Sequence, residues 1–269
     1  MTTVLSARGV SVSFGAVRAL DGVDLEVQSD QLVGLIGPNG AGKTTFIDAV
    51  TGFVPSRGEI TLGGRRISGM APHDRARLRL ARTWQTIELF DDLSVRENLS
   101  VSSRRSTMVS TVSEVLFGRP PRAEALAEEA MHLLELDEDA ERMPNELPQG
   151  RRKLVGIARA LASKPQLLLM DEPAAGLATN ESLELGRILR NVVDSGLPIL
   201  LVDHDMGLVL GICDYIYVLD FGKIIAQGTA EEIRHNPQVL AAYLGGSTSE
   251  AVATAEAAEE AAESEHAAK

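Results

Sequence analysis

The segment GPNGAGKT, at positions 37 to 44, constrains the fold of this chain more than any other. It follows the apolar run LVGLI, which predicts a buried strand, and precedes a segment with helical periodicity. Glycines let the backbone curl so that successive N–H groups converge on an anion, and the start of the next helix adds a positive partial charge. The segment therefore predicts a phosphate-binding loop between a strand and a helix.

The loop ends in two side chains suited to a magnesium-bound nucleoside triphosphate. Lys43 offers a mobile cation for the β- and γ-phosphates, and Thr44 offers a hydroxyl ligand for Mg²⁺. The alternative is an ordinary glycine-rich turn, which would match the four fixed positions about once in a hundred chains of this length. The residues expected to contact the phosphates are Gly37, Pro38, Asn39, Gly40, Ala41, Gly42, Lys43, Thr44 and Thr45.

Three continuous apolar runs predict strands that are covered on both faces, as in a parallel sheet. They are LVGLI (32–36), LLLM (167–170) and ILLV (199–202). Segments with helical periodicity lie between them, so the pattern favours an α/β fold with a mainly parallel sheet. The predicted helices are 44–52, 74–81, 181–195 and 206–212.

The amino-terminal region has a different pattern. Residues 4–37 alternate apolar and polar positions, with turn signals at Asp21-Gly22 and near Ser29-Asp30. A strand–turn–strand pattern follows at 58–67. These segments predict short antiparallel strands.

The rest of the chain divides by composition. Residues from about 88 to 160 have helical periodicity without a strand-like run, which predicts an inserted helical lobe, and 216–228 predicts a hairpin around Phe221-Gly222. The final segment, 246–269, is rich in Ala and Glu, carries six Glu and one Lys, and is expected to be disordered. We therefore predict a single folded domain over 1–245.

Charge and cysteine content exclude several classes of protein. The net charge of −12 argues against binding nucleic acid through the surface as a whole. The single cysteine, Cys213, has no partner for an intrachain disulfide and is expected to be a buried apolar residue in a reducing compartment. The amino terminus lacks an apolar signal region, and no apolar run approaches the ~18 residues of a membrane span, so we expect a chain that is neither secreted nor embedded.

Polar residues follow two of the apolar runs. Asp171 and Glu172 come after LLLM, where an acid beside a phosphate loop can hold the metal and a second can orient water. His204 follows ILLV at the same predicted sheet edge. Gln85 lies where the predicted core meets the helical lobe and is a candidate for the metal shell. Taken alone, the acids would be a solvated turn, His204 would be a structural residue and Gln85 an ordinary polar residue.

In this order, these motifs resemble the ATP-binding subunit of ABC transporters, over nearly all of 4–245. GPNGAGKTT resembles the Walker A loop, and LLLMDEP resembles the Walker B strand with its catalytic glutamate, Glu172. Gln85 matches the Q-loop residue and His204 the switch histidine, while Phe14 falls where the family stacks an aromatic ring on adenine. The resemblance implies a P-loop NTPase (RecA-like) core that binds ATP and Mg²⁺, with catalytic roles for Lys43, Gln85, Glu172 and His204, and Thr44, Gln85 and Asp171 at the metal.

Longer segments, such as ARTWQTIELFDDLSVRENL and HDMGLVLGICDYIYVLDFGKIIAQGTAEEI, are similar to the ATPase subunits of branched-chain amino acid importers. That resemblance implies two ATPase subunits, two permeases and a solute-binding protein, with this chain peripheral on the cytoplasmic face of the membrane. It does not name the transported solute, because the permease and the binding protein select it.

The segment LPQGR, 147–151, aligns with the family's LSGGQ signature, which contacts the γ-phosphate held by the opposite subunit. Pro148 replaces the signature's serine and Arg151 its last glutamine, while Gln149 and Gly150 keep backbone N–H groups for the phosphate. Ala178 stands where the family usually has aspartate. Because both altered loops act in trans, the pattern favours unequal sites in a heterodimer over a homodimer. Arg151 either offers a cation to the partner's nucleotide or lies with Arg152 on a solvated helix face.

Four other functions fit less well. A lipopolysaccharide-type export ATPase has a close sequence pattern. A nucleic-acid- or ribosome-associated ABC ATPase would be expected to carry two cassettes or coiled-coil insertions. A GTP-binding switch would need an NKxD-like motif, and a non-catalytic regulatory subunit would not need Glu172.

Overall fold

The structure is a computed structural model that describes residues 2–84, 88–102 and 121–244. Its strands are β1 Thr3–Phe14, β2 Val17–Gln28, β3 Leu32–Ile36, β4 Arg57–Leu62, β5 Arg65–Arg66, β6 Leu80–Arg82, β7 Leu167–Asp171, β8 Ile199–Val202, β9 Tyr215–Asp220 and β10 Lys223–Gly228. Its helices, labelled in chain order, are α1 Lys43–Thr51, α2 Pro72–Arg77, α3 Val95–Ser102, α4 Pro121–Leu133, α5 Gln149–Ala162, α6 Thr179–Asp194, α7 Met206–Ile212, α8 Ala230–Arg234 and α9 Pro237–Leu244.

The central sheet has the strand order β10-β9-β3-β8-β7-β6, and only β10 runs antiparallel to its neighbour. All residues of β3, β7 and β8 are buried, as the three apolar runs predicted. Alternate residues of one strand enter two different cores: Leu168 and Met170 pack among helices, whereas Leu167 and Leu169 pack toward the antiparallel sheet. The predicted parallel sheet with both faces covered is confirmed.

The second sheet, ordered β2-β1-β4-β5, is antiparallel, as predicted. The predicted turn at Asp21-Gly22 is wrong, because these residues lie inside β2, where Gly22 has a φ of 71° and the pairing with β1 is irregular. The chain reverses at 15–16 instead, with Gly15 at a φ of 61°. The turn near Ser29-Asp30 and the hairpin around Phe221-Gly222 are confirmed.

The predicted helix at 74–81 is wrong in its second half. Helix α2 ends at Arg77, Arg79 turns the chain at a φ of 67°, and β6 then pairs in parallel with β7. A strand of three residues is too short to produce a periodic signal, so the helical pattern was extended across it. The other three predicted helices are confirmed, with ends that differ by no more than two residues.

The described part of the middle region contains α3, α4 and the greater part of α5, which pack on one another, together with two short 3₁₀ turns. Its treatment as an inserted lobe, and of 1–245 as one domain, stays a prediction. The predicted disordered tail, 246–269, lies outside the described residues. Among the described residues, no helix combines the length and the apolar character needed to cross a bilayer.

Candidate nucleotide-binding site

The phosphate loop joins the buried strand β3 to helix α1, as predicted. Gly37 has no room for a side chain, because a Cβ there would lie 1.9 Å from the carbonyl oxygen of Leu219. Gly42 is the N-cap of α1 in the left-handed region, with φ 109°, and it brings no side-chain oxygen to the helix start. The first turn of α1 contains no acidic residue. The helix therefore begins with backbone N–H groups and a positive partial charge, which suit a phosphate.

Lys43 is buried inside the loop that it terminates. Its ammonium group donates to the carbonyl oxygens of Gly37, at 2.7 Å, and Pro38, at 3.0 Å. Burial lowers the pKa of Lys43, and the nearby carboxylates of Glu172, Asp171 and Asp203 act in the opposite direction. The cation is therefore held over the loop and surrounded by acids from the neighbouring strand ends.

Asp171 and Glu172 lie at the end of β7, on the edge of the sheet from which the phosphate loop leaves β3. Asp171 is buried, and burial raises its pKa while Arg82 lowers it. Glu172 has a φ of 48°, a conformation that costs a residue other than glycine roughly 1–2 kcal/mol. Its backbone N–H donates to the carbonyl oxygen of Val202 at 2.7 Å. The strained turn directs the chain, and with it the carboxylate of Glu172, toward the end of β8.

Asp203 is fully buried and connects the loops that follow β7 and β8. One carboxylate oxygen accepts the N–H groups of His204, at 2.8 Å, and Asp205, at 3.0 Å, and the other accepts that of Ala174, at 3.1 Å. Burial raises the pKa of Asp203, and these backbone donors oppose the shift. His204 is half exposed, with Nδ1 3.6 Å from Glu172 Oε2. The predicted site residues Glu172 and His204 therefore lie next to each other.

The sequence analysis missed Arg82, which lies at the end of β6. Its guanidinium donates to Asp171 at 2.9 Å and also to Asp48 of α1. It borders a cleft of about 640 Å³ that also includes Thr44, Glu172 and Lys153. The mistaken extension of α2 placed this residue just beyond a helix and hid it.

Lys153 of α5 was also missed. It is buried, and its ammonium donates to the carbonyl oxygens of Pro173, at 2.7 Å, and Ala175, in the loop after Glu172. Burial lowers its pKa, against the attraction of Asp203, Glu172 and Glu181. The available sequence signal was its position four residues before Ile157 and eight before Leu161, on the apolar face of the helix.

The signature-like segment begins α5. Pro148 is the N-cap, and Gln149 and Gly150 start the helix beside the loop that contains Gly176 and Leu177. Arg151 is partly exposed but not free: it donates from Nε to Asp139 at 2.7 Å and from Nη2 to the carbonyl oxygen of Glu135 at 2.6 Å. In this conformation the guanidinium of Arg151 makes these bonds within its own chain.

The remaining predicted site residues are Ala178, Phe14 and Gln85. Ala178 is the exposed N-cap of α6, and its N–H donates to Glu181 at 3.0 Å. Phe14 ends β1 with its side chain about half exposed, so its face is accessible. Gln85 lies outside the described residues.

Comparison with known families decides the assignment. A family model described as "ABC transporter" matches residues 20–175, more than half of the chain. This chain belongs to the ABC transporter family. A second model, "Branched-chain amino acid ATP-binding cassette transporter", matches residues 223–248 of this ABC protein.

Three relatives of this ABC chain are named as ATP-binding proteins of transport or export systems. The high-affinity branched-chain amino acid transport ATP-binding protein LivG of Salmonella typhimurium is 40% identical over 90% of this chain and 98% of its own length. BraF of Pseudomonas aeruginosa, with the same description, is also 40% identical over the same shares. The lipopolysaccharide export system ATP-binding protein LptB of Acidithiobacillus ferridurans is 35% identical over 91% of this chain and 98% of its own length. The resemblance to branched-chain ATP-binding proteins is confirmed.

Solved structures agree with the fold. The ADP conformation of MJ1267, described as an ATP-binding cassette of an ABC transporter, is 29% identical and has a TM-score of 0.80 over 91% of this chain and 100% of that one. A nucleotide-free ATP-binding cassette from an ABC transporter is 29% identical, with a TM-score of 0.78 over 90% and 98%. The predicted α/β ABC ATPase core with an antiparallel β subdomain is confirmed.

Proposed function

We propose that this chain is the ATP-hydrolysing subunit of an importer that takes up branched-chain amino acids or a related small polar solute through partner permeases. The observation that carries the proposal is the meeting of Lys43, Asp171, Glu172 and His204 at one edge of the sheet, next to the phosphate loop. The names of LivG and BraF and the match at 223–248 support this class of solute.

The chain's own groups fit ATP and Mg²⁺. Thr44 and Asp171 offer the hydroxyl and carboxylate oxygens that Mg²⁺ prefers, and Gln85 is proposed to join them. The ion would neutralise charge on the phosphate oxygens. The start of α1 and Lys43 bind the phosphates, and Phe14 is proposed to stack on the adenine.

Hydrolysis is assigned to two residues. Glu172 orients and polarises the attacking water, accepting its proton, and such help contributes roughly 10²- to 10⁴-fold to the rate. His204, placed beside Glu172 by the bonds of Asp203, steadies the γ-phosphate. The backbone of Glu172 is held by its N–H bond to the carbonyl oxygen of Val202.

The proposed partners are two permeases, a second ATPase subunit and, through the permeases, a solute-binding protein. The chain then works at the cytoplasmic face of the membrane. The segment of Pro148, Gln149, Gly150 and Arg151 is proposed to cap the partner's nucleotide. For Arg151 to bring its charge to the partner's nucleotide, it would have to leave the buried Asp139, which would keep, among the described residues, only its bond from Arg142, and such a separation is costly. This cost, together with Pro148 and Ala178, favours a heterodimer with unequal sites.

The test uses Glu172→Gln in the full chain with radiolabelled ATP and Mg²⁺. The variant is expected to retain nucleotide as the wild type does and to release phosphate at least about 100-fold more slowly. Unchanged hydrolysis would remove Glu172 from its role, and failure of the wild type to retain nucleotide would refute the ATPase proposal. Co-purification of membrane partners separates an importer permease from a lipopolysaccharide export permease.

A further inference from the structure

Arg82 connects three parts of the site that are far apart in the chain. It is the last residue of β6, which runs parallel to β7, and its side chain is 7% exposed. One end of the guanidinium donates to Asp171 of β7 and the other to Asp48 of α1, the helix that begins at the phosphate loop. Its Cζ atom lies 4.3 Å from the centre of the Trp84 ring.

The arrangement has one cation between two carboxylates. A guanidinium presents its donors in a fixed fork, so one group can hold two acids in a set geometry. A lysine in the same place would act as a point charge and would not fix both acids. Arg82 Nε has no hydrogen-bond partner among the described residues, so these two acids account for the polar contacts seen there.

One of the two acids is also the proposed magnesium ligand. A cation bound at Asp171 and the guanidinium of Arg82 would compete for the same carboxylate, and they would repel each other in a poorly screened environment. Asp48, which is not among the proposed ligands, offers Arg82 a second anchor that does not involve the metal.

We propose that Arg82 is a positioning residue that senses the metal: it shares Asp171 with Mg²⁺ and shifts toward Asp48 when Mg²⁺·ATP binds, which changes its stacking on Trp84. The inference rests on the proposed function. Trp84 immediately precedes Gln85 in the chain. A change in the contact between Arg82 and Trp84 therefore transmits the presence or absence of the metal to the segment between the core and the helical region.

The chain reports on this contact itself, because Trp84 is its single tryptophan. Emission is recorded on the full chain carrying Glu172→Gln, with saturating ATP, while Mg²⁺ is raised from zero in a chelator-buffered series. The emission is expected to change with Mg²⁺ and not with ATP alone. Trp84 also touches the Phe53 ring edge-on at a centroid distance of 5.2 Å, so Phe53 is left unchanged in every variant.

Two substitutions then have opposite expected effects. Arg82→Gln removes the competing cation, so the Mg²⁺ midpoint, measured for every variant by isothermal titration calorimetry of the ATP-loaded chain, should fall roughly tenfold. The Mg²⁺-dependent change in emission should disappear in this variant. Asp48→Asn removes the alternative anchor, so Arg82 should stay on Asp171 and the midpoint should rise. If Arg82 only supports the fold, both variants weaken Mg²⁺ binding in the same direction. An unchanged midpoint in both, or a rise with Arg82→Gln, overturns the proposal.

The control is Arg8→Gln, which also removes one positive charge but from an exposed ion pair with Glu26 on the antiparallel sheet. Its midpoint should equal that of the parent chain. If Arg82→Gln does not fold, Arg82→Met takes its place with the same expected fall in the midpoint, and a rise in its midpoint refutes the proposal. The absence of any Mg²⁺-dependent change in the emission of the parent chain also refutes it. Retention of labelled ATP by the parent chain is measured in parallel, so failure of the proposed function is distinguished from failure of this inference.

Discussion

The bonds from Lys153 of α5 to the loop after Glu172 give the sharpest test of the packing argument. Lys153→Met keeps the length and most of the volume of the side chain but removes the ammonium. The carbonyl oxygens of Pro173 and Ala175 then lose their donor in a buried place. Each unpaired buried group costs about 1–3 kcal/mol, and removal of a buried charge offsets part of this, so we expect a net loss of about 2–4 kcal/mol.

Thermal unfolding followed by circular dichroism measures this loss. For a chain of this size the expected decrease in the apparent Tm is roughly 5–15 °C. The matched control is Lys164→Met, the same substitution at an exposed lysine just beyond the end of the same helix. Its Tm should change by less than about 2 °C. Equal Tm values for wild type and Lys153→Met would show that these bonds add nothing to stability.

The stabilities of wild type and Lys153→Met are also expected to differ by an amount that depends on pH. Burial lowers the pKa of Lys153 below the ordinary lysine value of 10.5, so the folded chain releases this proton before the unfolded chain does. Between the two pKa values the unfolded state binds more protons, and linkage then makes the free energy of unfolding rise with pH. The stability difference between wild type and Lys153→Met is therefore expected to widen as the pH rises through the lowered pKa of the folded chain toward 10.5. A narrowing difference would mean that attraction by the nearby acids outweighs burial.

Two further predictions concern single positions. Gly37→Ala should not give a folded chain in useful yield, because its Cβ would lie 1.9 Å from a backbone oxygen. In Gly40→Ala no atom of the described residues lies within 4 Å of the Cβ, and only the φ of 82° is unfavourable. Its free energy of unfolding, measured by denaturant titration, should therefore fall by only about 1–2 kcal/mol. Similar soluble yields would refute the steric argument. Cys213 is buried and burial raises its pKa, so a thiol reagent should label it only after denaturant is added, and rapid labelling of the native chain would contradict this placement.

The parallel sheet and the phosphate loop were predictable for physical reasons. A strand covered on both faces must be apolar at consecutive positions, and β3, β7 and β8 show this directly. Because parallel strands end at one edge, the polar residues that follow β7 and β8 had to meet there. The strand β6 offered no such pattern, since three residues fit a helix or a strand equally well.

The missed residues act through contacts that sequence patterns do not encode. Arg82 pairs with acids 34 and 89 positions away, so only the packing of β6 beside β7 and α1 brings them together. Asp203 and Lys153 bind backbone N–H and carbonyl groups, which every residue carries and which leave no trace in residue types. The role predicted for Arg151 followed from its position in the signature-like segment. Its partner Asp139 could not be predicted, because the two residues meet only where α5 packs beside the 3₁₀ turn at 137–139.

Helix α5 joins the two halves of the proposed mechanism. Its first residues form the signature-like segment, Arg151 fixes that end to Glu135 and Asp139, and Lys153, half a turn later, fixes it to the loop after Glu172. A regular helix of 14 residues does not bend over two residues, so a displacement of its start reaches Lys153 almost unchanged. The segment that is proposed to cap a partner's nucleotide therefore cannot move without either carrying the loop after Glu172 with it or breaking the bonds of Lys153. In Lys153→Met the two movements separate, and the variant should lose coupling between nucleotide binding and hydrolysis even at temperatures where it remains folded.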